Sequence, residues 1–273
     1  MRITELWRYP VKSMGGEPLE RAKLRQDGIE GDRLVHVAGP KGRLLTSRTR
    51  PKLLGHKAIL GPDGEPLVDG RRWTSDAVAA DVRESAGAAA HLLRYDGLER
   101  FDVLPLLVAT DGAIAAFGYD RRRLRPNIVI GGVPGLAERE WEGKRLRVGG
   151  ERGPMIGIDD LRGRCIMTTF DPDSLEQDVG VLRSIRERFG GRLALNCWVL
   201  RSGELAVGDS VELVEAGWNP ATEVHENGAQ ARKAESKSGL GTQKCVPSRK
   251  ELNPWFESVC WSACAQKRAR KRK

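Results

Sequence analysis

The chain has 273 residues, enough for one large domain or two small ones with a properly buried core. Aromatic residues are sparse at 5%, while 32 glycines and 14 prolines favour a turn-rich fold over a helical bundle. The net charge of +9 invites a nucleic-acid reading that its location argues against: residues 218–273 hold 12 Lys and Arg against 5 Asp and Glu, leaving the first 217 residues at only +2.

Cysteine usage and the apolar runs set the compartment. The five cysteines lie at 165, 197, 245, 260 and 264 with no Cys-x-x-Cys, so neither a zinc ribbon nor an iron–sulfur spacing is supported. Only Cys165 and Cys197 fall in the body, which argues against a disulfide framework and for a reducing cytosol. The first residues, Met1 to Glu5, are charged at once and lack an apolar signal core. The longest apolar run, 101–118, is broken by Asp102, Pro105 and Asp111 and is too short and too charged to span a membrane. The expectation is a cytoplasmic protein with no membrane partner.

Strand signals dominate residues 1–75. Runs at 33–38 and 43–47 flank Gly39-Pro40-Lys41-Gly42 and predict a hairpin, and runs at 57–60 and 67–68 are joined by the turn-rich Gly61-Pro62-Asp63-Gly64. A helix is predicted over 76–89, capped by Ser75 or Asp76, with Val78, Val82 and Ala86 on one face. Buried strands are predicted at 104–109 and 127–130 around a short helix at 111–117, then strands at 145–148 and 165–169. A helix over 175–189 places Val179, Leu182, Ile185, Arg186 and Phe189 on one stripe, and strands at 197–200 and 211–214 close the body. The sum is a β-rich α+β architecture, barrel-like, with flanking helices. Residues 219–250 lack hydrophobic periodicity, and 267–273 form a basic run; the segment from 218 to 273 is expected to be a disordered basic tail. A frame-shifted terminus would give the same composition.

Four segments offer chemistry. Tyr9-Pro10-Val11-Lys12-Ser13 pairs a cation with a hydroxyl, a set that suits one phosphate, although a solvated loop lysine reads the same way. Arg48 follows the alternating run from Leu44 and would end a strand, where a guanidinium can grip phosphate with two parallel bonds; Arg33 and the run Arg121-Arg122-Arg123 add cations. Arg125-Pro126-Asn127 places an arginine and an amide at the mouth of a buried strand; the amide both donates and accepts, as a heterocycle edge requires, or simply satisfies the turn. Cys165 would ride a strand to the rim of the sheet, followed by Thr168, Thr169 and an Asp171-Pro172-Asp173 turn. Its soft sulfur suits a transition metal far better than Mg²⁺ or Ca²⁺, although a lone cysteine also reads as a small buried hydrophobe, as Cys197 inside an apolar strand does. Asp159-Asp160 and Asp171/Asp173 read as solvated turn acids, and the histidines at 36, 56, 91 and 225 lack metal spacing. No phosphate loop, dinucleotide fingerprint or nucleophile elbow occurs.

These segments, in this order and with a closing Val207-Gly208-Asp209, resemble the MOSC family with its N-terminal β-barrel half, including the amidoxime-reducing components, over about residues 1–215. The resemblance implies an N-terminal β-barrel-like domain at 1–100 and a MOSC domain at 101–217. It implies a pterin-bound molybdenum cofactor with Cys165 as the metal's thiolate ligand and catalytic residue, Lys12, Ser13 and Arg48 on the cofactor's phosphate, and Arg125 and Asn127 on its pterin side. The implied reaction is two-electron reduction of a small N-hydroxylated substrate. Its electrons would come from an external electron-transfer protein, ferredoxin- or cytochrome-like, because the chain has no flavin, haem or nicotinamide motif. Some bacterial relatives carry a ferredoxin-like domain with four clustered cysteines; Cys245, Cys260 and Cys264 do not match that spacing. Two other readings stay open: a sulfur carrier holding a Cys165 persulfide for metal–sulfur assembly, and nucleic-acid binding through the tail, which the near-neutral body does not favour.

Overall fold

The structure is a computed structural model and describes residues 1–215 apart from 96, 98 and 99. The expected tail at 218–273 lies outside the described residues. Strand β1 (Arg2–Arg8) buries Ile3 and Leu6, three residues apart, because a bulge between Ile3 and Glu5 resets the two-residue alternation. The chain continues through β2 (Glu17–Leu19), β3 (Arg21–Arg25), β4 (Gly28–Ile29), β5 (Val35–Ala38), β6 (Leu44–Leu45), β7 (Ala58–Leu60), β8 (Pro66–Val68) and β9 (Arg71–Arg72). The expected hairpin forms with Val37 opposite Leu45, and the two runs joined by the 61–64 turn also pair, with Ile59 opposite Leu67. Helix α1 (Asp76–Ala86) is capped by the Ser75 hydroxyl and ends at Ala86, three residues before the expected end, since Gly87 takes a φ of 111°. Val78, Val82 and Ala86 are buried against Val11, Met14, Val35 and Leu53.

After β10 (His91–Arg94), which pairs with β5, the second half supplies β11 (Leu106–Thr110), α2 (Asp111–Phe117), β12 (Ile128–Gly131), β13 (Arg145–Val148), β14 (Met155–Gly163), α3 (Val179–Phe189), β15 (Arg192–Arg201), β16 (Gly203–Ala206) and β17 (Val211–Val214). Eight strands form one sheet in the order β17-β13-β14-β15-β11-β12-β1-β2, so it takes strands from both sides of residue 100. Its far edge returns to the start: Ile3 N–H donates to Asp209 O at 2.9 Å, Val211 N–H donates to Met1 O at 2.9 Å, and Arg2 bridges Ser210. That curl removes an open edge and wraps a core of Ile3, Leu6, Leu106, Ile128, Ile158 and Leu195. The fold is the expected β-rich α+β class.

Three local expectations are corrected. The segment after Cys165 is a 3₁₀ turn (Ile166–Thr169), not a strand, because the Thr168 hydroxyl donates to Cys165 O at 2.9 Å and the Thr169 hydroxyl to Ile166 O at 2.6 Å. Helix α3 starts at Val179, capped by Asp178; its buried stripe is Val181, Ile185 and Phe189, and Val179 is exposed. Asp159 and Asp160 lie within β14 rather than in a turn.

Two stability predictions follow from the helical layer. Phe117 of α2 is fully buried beside Leu124, Ile185 and Leu193, so Phe117→Ala should cost about 3–5 kcal/mol in urea unfolding. A midpoint no lower than that of the exposed-site variant Tyr119→Ala would contradict this packing. Glu138 is fully buried, its carboxylate accepts from Thr110 Oγ1 at 3.3 Å, and burial raises its carboxyl above the ordinary 4.5. The folded state therefore holds this proton longer than the unfolded one, so stability falls as pH rises from 4.5 to the folded value and stays lower above it. Glu138→Gln should accordingly raise the melting temperature at pH 7 and leave it unchanged at pH 4.

Candidate functional site

All six sequence-picked site residues line one cleft of about 830 Å³, its open mouth included. Each arrives at the end of an element. Lys12 and Ser13 follow β1; Arg48 lies in the turn after β6; Asp102 sits on the approach to β11; Arg125 and Asn127 enter β12; Arg162 and Gly163 end β14, and Arg164 and Cys165 follow it. Arg48 is thus three residues beyond its strand, in a turn closed by Arg50 N–H to Thr46 O at 2.9 Å, rather than at a strand end.

The charge balance of this cleft is lopsided. Eight Lys and Arg side chains line it against one carboxylate, Asp102. Three of the cations have carboxylates of their own outside the lining: Arg33 pairs with Asp32, Arg100 with Asp27 at 2.7 Å, and Arg123 with Asp171 at 2.8 Å. Lys12, Arg48 and Arg162 converge on Asp102, at 2.8, 2.9 and 3.5 Å. Arg125 and Arg164 make no ion pair among the described residues. Burial would raise the Asp102 carboxyl, but the Lys12 hydrogen bond and the charges of Lys12, Arg48 and Arg162 outweigh it and hold the group below the usual carboxylate range. Arg125 and Arg164 face the cleft rather than bulk solvent, and that burial lowers each to about 10. Both stay charged at neutral pH. Five cations sharing one carboxylate make an anion site.

Behind these side chains lies a buried polar clasp. Asp32 is wholly buried and accepts from Tyr9 N–H at 2.7 Å and Asn127 Nδ2 at 3.0 Å beside its Arg33 contact. The other Asn127 bonds run from Nδ2 to Trp7 O at 3.3 Å and to Oδ1 from Leu107 N–H at 3.2 Å and Arg33 at 3.4 Å. Protein partners therefore take both donors and both lone pairs of the amide, so the expectation of a free donor–acceptor edge at Asn127 is revised: it braces the wall. The Tyr9 hydroxyl donates to Pro126 O at 3.1 Å, burial pushes its pKa up to about 12, and the Arg125 guanidinium sits 4.3 Å from its ring centre. Ser13, Arg33 and Arg125 hold left-handed φ values of 74°, 52° and 57°. Side-chain-bearing residues seldom adopt that conformation, and such strain concentrates at functional sites.

Cys165 is free and half-buried at the cleft, while Cys197 is fully buried in β15 with its thiol pushed up by burial. The reading of Cys197 as a small buried hydrophobe therefore matches its surroundings. Strand β14 does bring Cys165 to the rim, but it ends before the thiol. Arg164 Nη2 donates to Leu124 O at 2.8 Å, tying this segment to the entry of β12. Arg162 and Arg164 were both missed as lining residues, though two arginines in the four residues ending at Cys165 were a readable signal. Asp102 was read only as a charge interrupting an apolar run; no local pattern marks it.

Comparisons with known proteins bear on this geometry. The chain matches the MOSC N-terminal beta barrel domain over residues 1–83 and the MOSC domain over residues 111–212. It is 24% identical to human mitochondrial amidoxime-reducing component 1, over 78% of this chain and 82% of that protein. It is 23% identical to human mitochondrial amidoxime reducing component 2, over 67% of this chain and 72% of that protein. Among solved structures, the YuaD protein from Bacillus subtilis aligns at 15% identity and a TM-score of 0.42, over 79% of this chain and 96% of that one. With its two domains matched in order, the chain belongs to the MOSC family and carries its N-terminal β-barrel domain.

Proposed function

We propose that the protein is an oxidoreductase that binds the molybdenum cofactor and reduces small N-hydroxylated compounds with electrons from an external ferredoxin- or cytochrome-like protein. The observation that carries this reading is a free thiol opening into a cleft where five cations share one carboxylate. The donor set fits the cofactor: one soft ligand, and a cation cluster already gathered around an anionic oxygen pair. Lys12, Ser13 and Arg48 would hold the phosphate, Arg125 would face the pterin side, Cys165 would bind the metal, and Asn127 would brace Arg33 from behind. The bound cofactor would supply the two-electron chemistry, and the protein supplies ligation, orientation and access.

The chain's own residues have definite tasks in this reading. Arg162 and Arg164 precede Cys165 in sequence and line the cleft with it, so the thiol would meet an anionic group in a cationic setting. The Tyr9 phenol, at about 12, stays protonated and serves as a neutral platform under Arg125. The names of the relatives point to amidoximes as the substrate class, and a reducing cytosol suits a chain whose two body thiols are both free. The proposed domains are residues 1–100 and 101–217.

The deciding experiment compares wild type with Cys165→Ala, both expressed in a host that makes the cofactor. Wild type should carry near-stoichiometric molybdenum and pterin and reduce benzamidoxime with a chemical electron donor; the variant should lose the metal and the activity. Molybdenum absent from wild type, with releasable sulfane sulfur on Cys165, would favour the persulfide carrier instead. Removing one charged partner of the phosphate, as Lys12→Ala or Arg48→Ala, should weaken cofactor retention on dilution by roughly ten- to a hundredfold, the usual loss for a charged hydrogen bond. Unchanged pterin fluorescence after gel filtration of both variants would rule out that role.

A further inference from the structure

Asp102 does something a phosphate grip does not need: it fills the grip. Its two carboxylate oxygens are divided between the ligands of the expected phosphate, with Lys12 Nζ on Oδ1 at 2.8 Å and Arg48 Nη2 on Oδ2 at 2.9 Å, and Arg162 lies 3.5 Å from Oδ2. Lys12 also donates to the Arg100 carbonyl at 2.8 Å, so the same ammonium pins the backbone on which Asp102 sits. The side chain of Asp102 is 30% exposed, and the next residue, Val103, is 52% exposed, so the carboxylate has solvent to withdraw into. Arg100 has an anchor of its own, a 2.7 Å pair with Asp27 and a guanidinium 4.6 Å from the Phe101 ring centre, which holds the segment when Asp102 leaves.

We infer that Asp102 is a resident anion that sets the specificity of this site: a ligand must displace it from Lys12 and Arg48, which a phosphomonoester dianion does and a monoanion does not. The reason is electrostatic. A monoanion replacing a tethered carboxylate exchanges like for like and gives up the tether's advantage, whereas a dianion gains a second charge against the same cations. Chloride and small carboxylates are thereby excluded from a cleft whose cations would otherwise collect them. Once displaced, the Asp102 side chain loses its contacts with Lys12 and Arg48, and the 101–104 backbone is left tied through Arg100. The inference rests on the proposed function only for the identity of the phosphomonoester.

The test uses full-length protein purified without cofactor, with inorganic phosphate at pH 8 and acetate as probes in calorimetric titrations. Wild type should bind phosphate and show no measurable acetate binding. Asp102→Asn keeps the shape, removes the charge, and should tighten phosphate about tenfold, as expected if roughly one molecule in ten has the carboxylate withdrawn. It should also admit acetate. Asp171→Asn, which frees Arg123 of the same cleft from its carboxylate, controls for the general loss of one negative charge and should do neither. Equal gains in both variants, or no gain in Asp102→Asn, would overturn the inference. Amide exchange on wild type supplies a readout that needs no variant: phosphate should raise exchange across 100–104, and a fall or no change there would mean that the anion binds beside Asp102 instead of replacing it. Neither measurement involves molybdenum, so the inference can stand if the enzyme reading fails, and the reverse.

Discussion

The Asp32 carboxylate is the constraint on which the cleft depends. It has no exposure to solvent, and an ionised group in that position is tolerable only when donors surround it. Its partners come from three separate stretches: the Tyr9 amide at the end of β1, the Asn127 amide at the entry to β12, and the adjacent Arg33. Loss of any one leaves a buried charge short of a partner, so the three stretches are held in a single arrangement. Lys12, Ser13, Arg33 and Arg125 all hang from those stretches, which fixes where the cations of the cleft can be.

From that arrangement follows the crowding of positive charge. The walls of the cleft bring guanidinium groups together with too few carboxylates to neutralise them, a state that self-repulsion opposes. Arg125 and Arg164 bear the effect, their affinity for protons lowered by burial and by neighbouring arginines. A structure keeps such an arrangement only where the backbone over-determines it, and closure of the eight-stranded sheet through Ile3 and Asp209 supplies that rigidity on one side. Charge left uncompensated by the protein implies a partner that compensates it.

Much of this was legible in the sequence, for identifiable reasons. Helix 111–117 and strands 145–148 and 211–214 were read to the residue because each is bounded by its own punctuation: Thr110 and Gly118 around the helix, Gly149 and Gly208-Asp209 beside the strands. Strand β14 was not legible, since three register shifts break its alternation and Gly157, Asp159 and Asp160 interrupt its apolar run. The 3₁₀ turn after Cys165 was misread because Thr168 and Thr169 suit a strand by propensity, and only their bonds to carbonyls three residues back reveal a turn. The six site residues could be picked from short motifs, but Asp102 could not. Its role is set by Lys12, 90 positions earlier, and Arg162, 60 later, a relation between distant elements with no local trace.

The left-handed backbone at Ser13, Arg33 and Arg125 carries a consequence for how this protein can change. Glycine would relax the main chain at each of these positions, and the relaxed chain would be expected to fold at least as well where the side chain does not itself contribute. Selection for thermal robustness alone would therefore drift toward glycine at places where a hydroxyl or a guanidinium faces the cleft. Three bulkier residues in so unfavourable a conformation place stability and recognition in opposition, and a laboratory lineage evolved only for heat resistance would reveal which of the two prevails at each position.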